Sequence, residues 1–203
     1  MARIALIGAS GNVGTRILNE LVSRNHQVTA IVRDPSKVPA QAGVTAVRGD
    51  VSDPAGLAAL LKGHDAVVSS VRFLDSDPAA LVDAVRAAGV KRYLVVGGAA
   101  SLFVAPGKRL LDQPDFPDAY KAEATAGAAF LDALRGVADL DWTFISPSAM
   151  FVPGERTGKF RLAQDELLVS EKGSTISYEV YAVALVDEIE RPAHVRQRFT
   201  VGY

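Results

Sequence analysis

The chain has 203 residues, 49% of them hydrophobic and 22% charged, with a formal net charge of -1 and no cysteine. The length suits one domain that buries its own core, the balanced charge excludes the broad basic field that nucleic-acid binding needs, and the missing cysteines exclude disulfide scaffolding and thiolate chemistry. No apolar run approaches the ~20 residues of a membrane span, and the first residues read as a strand rather than a leader, so the expectation is a cytoplasmic protein with neither membrane nor nucleic acid as partner.

Short apolar runs predict strands at residues 4–7, 28–32, 44–47, 66–68, 93–96 and 142–145, and helical periodicity predicts helices over 13–24, 54–61, 79–88 and 119–135. Strand–helix alternation of this kind implies parallel strands joined by right-handed crossovers, an α/β fold of Rossmann type: a doubly wound parallel sheet with helices on both faces. Asp53-Pro54 reads as an N-cap followed by a first-turn proline, and Gly63 and Gly89 as left-handed helix stops. Residues 97–118 carry three prolines and little periodicity and read as a long ordered loop. After residue 147 the pattern breaks at Pro153, Gly154 and Gly158, then resumes as a strand at 167–169, a helix near 178–189 and a closing strand at 198–201. The whole chain reads as one domain, with loops 97–118 and 147–162 and the C-terminal segment on the substrate side.

The first chemical signal is Gly8-Ala9-Ser10-Gly11-Asn12-Val13-Gly14, which follows the first strand and opens the first helix. Gly8 allows the tight turn, Gly11 lets backbone approach a pyrophosphate, and Gly14 lets helix and strand pack closely, while the helix start offers N–H groups and a positive dipole end to phosphates. After the second strand comes Val32-Arg33-Asp34-Pro35-Ser36-Lys37. Arg33 suits a ribose 2'-phosphate and Lys37 adds a second charge, which favours NADP, with NAD the alternative through Asp34. Asp50, after the third strand, either accepts from the adenine amino group with Val51 over the ring, or serves the turn. Ser69, Ser70 and Val71 end the fourth strand on the rim where open α/β sheets bind ligands.

Over nearly its whole length, through GASGNVG, VRDPSK, RGDVSDP, GHDAVVSSV, VKRYLVVGGAASL, DFPDAYKAEA, DWTFISPSAM and RFTVGY, the chain resembles the atypical short-chain dehydrogenase/reductase superfamily. It resembles the NmrA-like and biliverdin reductase B-like branch in particular, and is similar to bacterial proteins described as NADH-flavin reductases. The resemblance implies Gly8, Ser10, Gly11, Asn12 and Val13 on the pyrophosphate, Arg33 and Lys37 on the 2'-phosphate, and Asp50 and Val51 on adenine. It further implies Ser69, Ser70, Gly97 and Gly98 along the ribose and nicotinamide, with Ser146, Pro147 and Ser148 bordering the nicotinamide.

The departure from the superfamily concerns its Tyr-x-x-x-Lys pair and serine. Tyr120 is followed by Ala124; aligned on the downstream helix, the pair falls on Glu123 and Gly127, and Gly98 falls near the serine, three residues before Ser101. Without that proton-transfer pair, the expectation is hydride delivery to a small conjugated acceptor such as a flavin or quinone. Tyr120 would stack on or hydrogen-bond the acceptor, Lys121 would offset its charge, and Ser101 or Ser148 would donate a hydrogen bond. Two other readings stand beside it: a dinucleotide-sensing regulator without turnover, and a reductase of a small carbonyl or enone with Tyr120 as acid. His26, His64 and His194 read as turn or surface residues rather than metal ligands. Asp187, Glu188 and Glu190 read as a solvated helix face, and Trp142, Phe151 and Phe160 as core. No coiled-coil pattern or isolated apolar patch marks an oligomer interface.

Overall fold

The computed structural model describes all 203 residues. In chain order the elements are β1 (Arg3–Ile7), α1 (Asn12–Ser23), β2 (Gln27–Val32), β3 (Val44–Arg48), α2 (Pro54–Leu61), β4 (Ala66–Ser69), α3 (Pro78–Ala87), β5 (Arg92–Val96), β6 (Phe103–Ala105), β7 (Lys108–Arg109), α4 (Asp118–Arg135), β8 (Asp141–Pro147), β9 (Met150–Val152), β10 (Arg161–Ala163), β11 (Thr175–Ser177), α5 (Tyr178–Glu190) and β12 (Gln197–Gly202). Eight strands form one sheet in the order β3-β2-β1-β4-β5-β8-β12-β10, all parallel except β10, which runs antiparallel along β12. The order reverses between β1 and β4, the switch point at which a doubly wound sheet opens a crevice at its carboxyl edge.

Alternation along the strands sends side chains to two cores. Ile4 and Leu6 pack with Ile17, Leu18 and Leu21 of α1 and the apolar face of α5; Ala5 and Ile7 pack with Leu57 of α2, Leu81 of α3 and Phe130 of α4. Trp142 is buried in the second core, and Phe151 and Phe160 pack against the first. Caps set the helix ends as expected. Asp53 accepts from the Gly56 amide, Asp77 from Ala79 and Ser177 from Val180, while Gly63 and Gly89 take φ values of 77° and 73° just past α2 and α3.

Two expectations need correction. Residues 167–169 form no strand, because the segment is held at its start by the Leu167 amide on the Phe103 carbonyl and turns back between Ser170 and Gly173, which leaves no ladder to join. The acidic residues of α5 are not a solvated face. Asp187 and Glu190 both hold Arg24 at 2.6 and 2.8 Å, and Glu190 also meets His26. Glu188, 4% exposed, receives Arg92, the Ala193 and His194 amides and the His194 ring. The partners come from segments far away in sequence, so helical spacing alone does not reveal them.

Glu20 completes this seam. Its side chain is 3% exposed and lies between Arg24 at 2.8 Å and Arg156 at 2.6 Å. Burial pushes the Glu20 carboxyl up, but hydrogen bonds from Arg156 and Arg24 outweigh it and hold the group below its ordinary value of 4.5. A carboxyl lowered by folding stabilises fully above the unfolded-state value and loses that contribution as the pH falls through the folded one. Glu20→Gln should therefore cost about 2 kcal/mol at pH 7 and progressively less below pH 4.5. Urea unfolding at neutral and acid pH checks this, and an equal loss at both would contradict it.

Candidate functional site

The turn from β1 into α1 is shaped by two glycines. Gly8 has φ 83°, and a Cβ there would run into the Ser70 carbonyl oxygen; a Cβ on Gly14 would run into the Gly8 carbonyl oxygen. The β1 turn, the start of α1 and the end of β4 therefore meet at the switch point only because no side chains stand between them. Gly11 occupies the N-cap position, no side chain caps α1, and its first turn has no acidic residue. The amides of Asn12, Val13 and Gly14 precede any intrahelical acceptor and carry the positive end of the helix dipole.

Beside this turn lies a cleft of about 260 Å³ across the carboxyl ends of β1 to β4. Of the residues singled out in the sequence, Gly8, Ser10 and Gly11 line it from the first turn, Arg33 from β2, Asp50 and Val51 from β3, and Ser70 and Val71 from β4. Arg72 and Asp75, which sequence reasoning missed, close its far side. The available signal was a cation two residues past the small pair Ser69-Ser70 on the ligand rim. Asn12, exposed, and Val13, half-buried against the core, sit at the helix start; Lys37 is exposed on the short turn Pro35–Lys37 outside the cleft.

The charges in the cleft are unevenly committed. Asp34 uses Oδ1 for the Ser36 hydroxyl at 2.6 Å and amide at 3.1 Å, which hold its carboxyl below the usual range and tie it to the turn. Asp50, which lines the cleft, uses Oδ1 for the Ser52 amide and hydroxyl, both at 2.9 Å, which likewise lower its carboxyl and leave Oδ2 without a hydrogen-bond partner. Both sequence readings of Asp50 are thus compatible with one rotamer. Arg33 has no ion-pair partner, and Arg72 has only Glu123 at 3.9 Å. An uncapped helix start, a glycine cradle and two available guanidinium groups fit a phosphorylated dinucleotide.

Beyond the cleft, Gly97 and Gly98 follow β5 as half-exposed backbone, next to the buried Ser146 and Pro147 at the end of β8. Ser146 Oγ has no hydrogen-bond partner, and Ser69 Oγ is engaged in the core with the Tyr93 hydroxyl at 3.0 Å. The four catalytic candidates are not joined by any hydrogen bond. Ser148 is fully buried and donates to the Val201 carbonyl, so its one proton is spent. Ser101 Oγ accepts from Arg198, a buried guanidinium that also holds Asp165 and pins the segment before β6. Lys121 pairs with Asp118 at 3.4 Å, and Tyr120 is 67% exposed on the first turn of α4.

At the alternative positions of the missing pair, Glu123 accepts from the amides of Phe73 at 2.7 Å and Leu74 at 3.2 Å. A Cβ on Gly127 would lie 2.8 Å from the Phe73 ring, which stacks 6.0 Å from Phe144 and tilts 5.4 Å from Phe130. Apolar packing leaves no room for a side chain at position 127. The glycine cradle is open to a direct check. Gly8→Ala should weaken NADPH binding at least about tenfold in calorimetric titration, whereas Gly89→Ala, strained at φ 73° but in open space away from the cleft, should bind normally.

Known proteins agree with this geometry. A family model described as NAD(P)H-binding matches residues 8–192. The protein YwnB of Bacillus subtilis (strain 168) is 43% identical over 210 residues, spanning 98% of this chain and 97% of its own. A Bacteroides thetaiotaomicron structure named "putative epimerase" superposes with a TM-score of 0.95 at 42% identity, covering 100% of this chain and 97% of that one. A Streptococcus pneumoniae TIGR4 structure named "putative NADH-flavin reductase" does so with 0.85 at 38% identity, covering 100% and 99%. The chain belongs to the NAD(P)H-binding oxidoreductase family, in agreement with the resemblance its sequence carries.

Proposed function

We propose that this protein is an NAD(P)H-dependent reductase that prefers NADPH and delivers hydride to a flat conjugated acceptor, a flavin or quinone. The observation that carries the reading is a dinucleotide cleft beside which the two α4 positions of the missing proton-transfer pair are otherwise engaged: Glu123 with two backbone amides, and Gly127 under the Phe73 ring. When bound, the nicotinamide supplies a hydride, and an electron-poor ring accepts it directly and takes its further proton from water. The chain's own work is binding and orientation. The start of α1 holds the pyrophosphate, Arg33 grips the 2'-phosphate with Lys37 adding charge at longer range, and Asp50 Oδ2 and Val51 meet the adenine. Gly97, Gly98 and the end of β8 leave room for the ribose and nicotinamide, and the loops at 97–118 and 147–162 border the acceptor.

The Streptococcus relative's name supports this acceptor class. Epimerisation through a transient ketone would need a base at the alcohol oxygen, and the carboxylate nearest that role is bonded to Phe73 and Leu74. No helix is long and apolar enough to cross a membrane, and we place the reaction in the cytoplasm, where reduced nicotinamide is held.

Steady-state oxidation of NADPH and NADH with FMN, riboflavin and a simple quinone, beside calorimetric cofactor binding, tests the reading. Saturable turnover supports it, and tight binding without turnover across that panel would make the protein a dinucleotide sensor. Arg33→Ala should weaken NADPH by roughly tenfold or more and NADH little; equal loss for both cofactors would remove the 2'-phosphate assignment. Tyr120→Phe should keep kcat within about twofold, since a general acid contributes on the order of a hundredfold or more. A loss of that size would make Tyr120 the acid of a carbonyl reductase.

A further inference from the structure

Glu123 bonds across 50 positions of sequence. Its carboxylate joins the first turns of α4 to the segment after β4 through two amides, with Arg72 as a looser third contact at 3.9 Å. That segment also supplies Val71, Arg72 and Asp75 to the wall of the dinucleotide cleft. Between the wall residues on either side of it, the Phe73 ring is seated on the bare backbone of Gly127, with its edge toward Gly98 and its face on Phe144. The segment therefore has one side in the cleft and the other locked to α4, and the lock is a charge-assisted pair of hydrogen bonds rather than a ladder.

We propose that Glu123 is a positioning residue for hydride transfer, latching residues 71–75 so that Arg72 and Val71 hold the cofactor's pyrophosphate-to-nicotinamide half while Phe73 walls the reacting end with an apolar surface. The inference rests on the dinucleotide-reductase reading. Its consequence is selectivity: an acceptor at this end meets a ring with no proton to give, so only acceptors that take hydride unaided turn over. A backbone latch suits this work because it fixes the wall without placing a titrating group against the nicotinamide. Glu123 never touches the reacting atoms; it acts through Phe73 and Arg72.

The test uses the full chain and three variants, Glu123→Ala, Glu123→Gln and Phe73→Leu. NADPH dissociation constants, kcat and KM with FMN, thermal midpoints and amide hydrogen exchange at residues 71–77 are measured for each. Glu123→Ala should speed exchange at the Phe73 and Leu74 amides, raise the NADPH dissociation constant about tenfold, and lower kcat at saturating NADPH by about tenfold or more, because a misplacement of about 1 Å costs on that scale. Glu123→Gln keeps one oxygen that accepts the Phe73 amide and should recover part of both losses. Phe73→Leu keeps the amide bonds and should lower kcat more than it affects NADPH binding.

A lower thermal midpoint with unchanged dissociation constant and kcat would overturn the proposal and leave Glu123 a purely structural residue. Unchanged exchange at Phe73 and Leu74 would overturn it too. If the unsubstituted chain neither binds nor oxidises NADPH, the reductase reading falls and this one with it; normal wild-type turnover with a fully active Glu123→Ala variant removes the latch alone.

Discussion

The close approach of three backbone segments at the switch point is the constraint on which the site depends. The β1 turn can touch the end of β4 and the start of α1 only with hydrogen in place of a side chain at Gly8 and Gly14. That contact aims the first amides of α1 into the crevice and leaves the helix start without a competing carboxylate or cap. A capping side chain in place of Gly11 would have stabilised α1 by about a few tenths of a kcal/mol; its absence leaves the amides for a ligand. The local helix is weaker by that amount and the binding surface correspondingly better prepared.

Charge is organised differently at the two ends of the sheet. On the ligand side, Arg33 and Arg72 stand free or nearly so at the rim. At the opposite side, Arg24 gathers Glu20, Asp187 and Glu190, and Glu188 gathers Arg92 and His194 in clusters with little exposure. These clusters tie α1 to α5 and α5 to β5, so the helices that frame the crevice are fixed from behind. Unpaired cations on a rigid frame are available to an anionic ligand without first breaking a protein ion pair.

Around α4 the chain departs from the Tyr-x-x-x-Lys pattern of the superfamily it resembles. In α4, the two positions at which that pair would align carry a carboxylate bonded to the Phe73 amide and a glycine on which the Phe73 ring packs. A side chain at position 127 and the seated Phe73 ring would compete for one volume. The seated ring and the missing pair go together at these two positions, and the proposed acceptor class rests on them more than on any single catalytic candidate.

Strand and helix order, the doubly wound sheet, the glycine turn and most of the cleft were determined by the sequence itself, because periodicity, caps and glycine spacing are local and the fold leaves few other ways to bury such runs. Eight of the residues singled out do line the cleft. What only the tertiary structure decided are the long-range partners. Arg72 became part of the cleft through the path of its loop, Ser101 and Ser148 were taken up by Arg198 and Val201, and the α5 acids found Arg24 and Arg92. Each of these pairs depends on where a segment 53 to 163 positions away comes to lie, and a short polar side chain looks the same in sequence whether it meets solvent, substrate or a buried guanidinium. Glu123 is the clearest case: its meaning was set by Phe73, a residue 50 positions earlier.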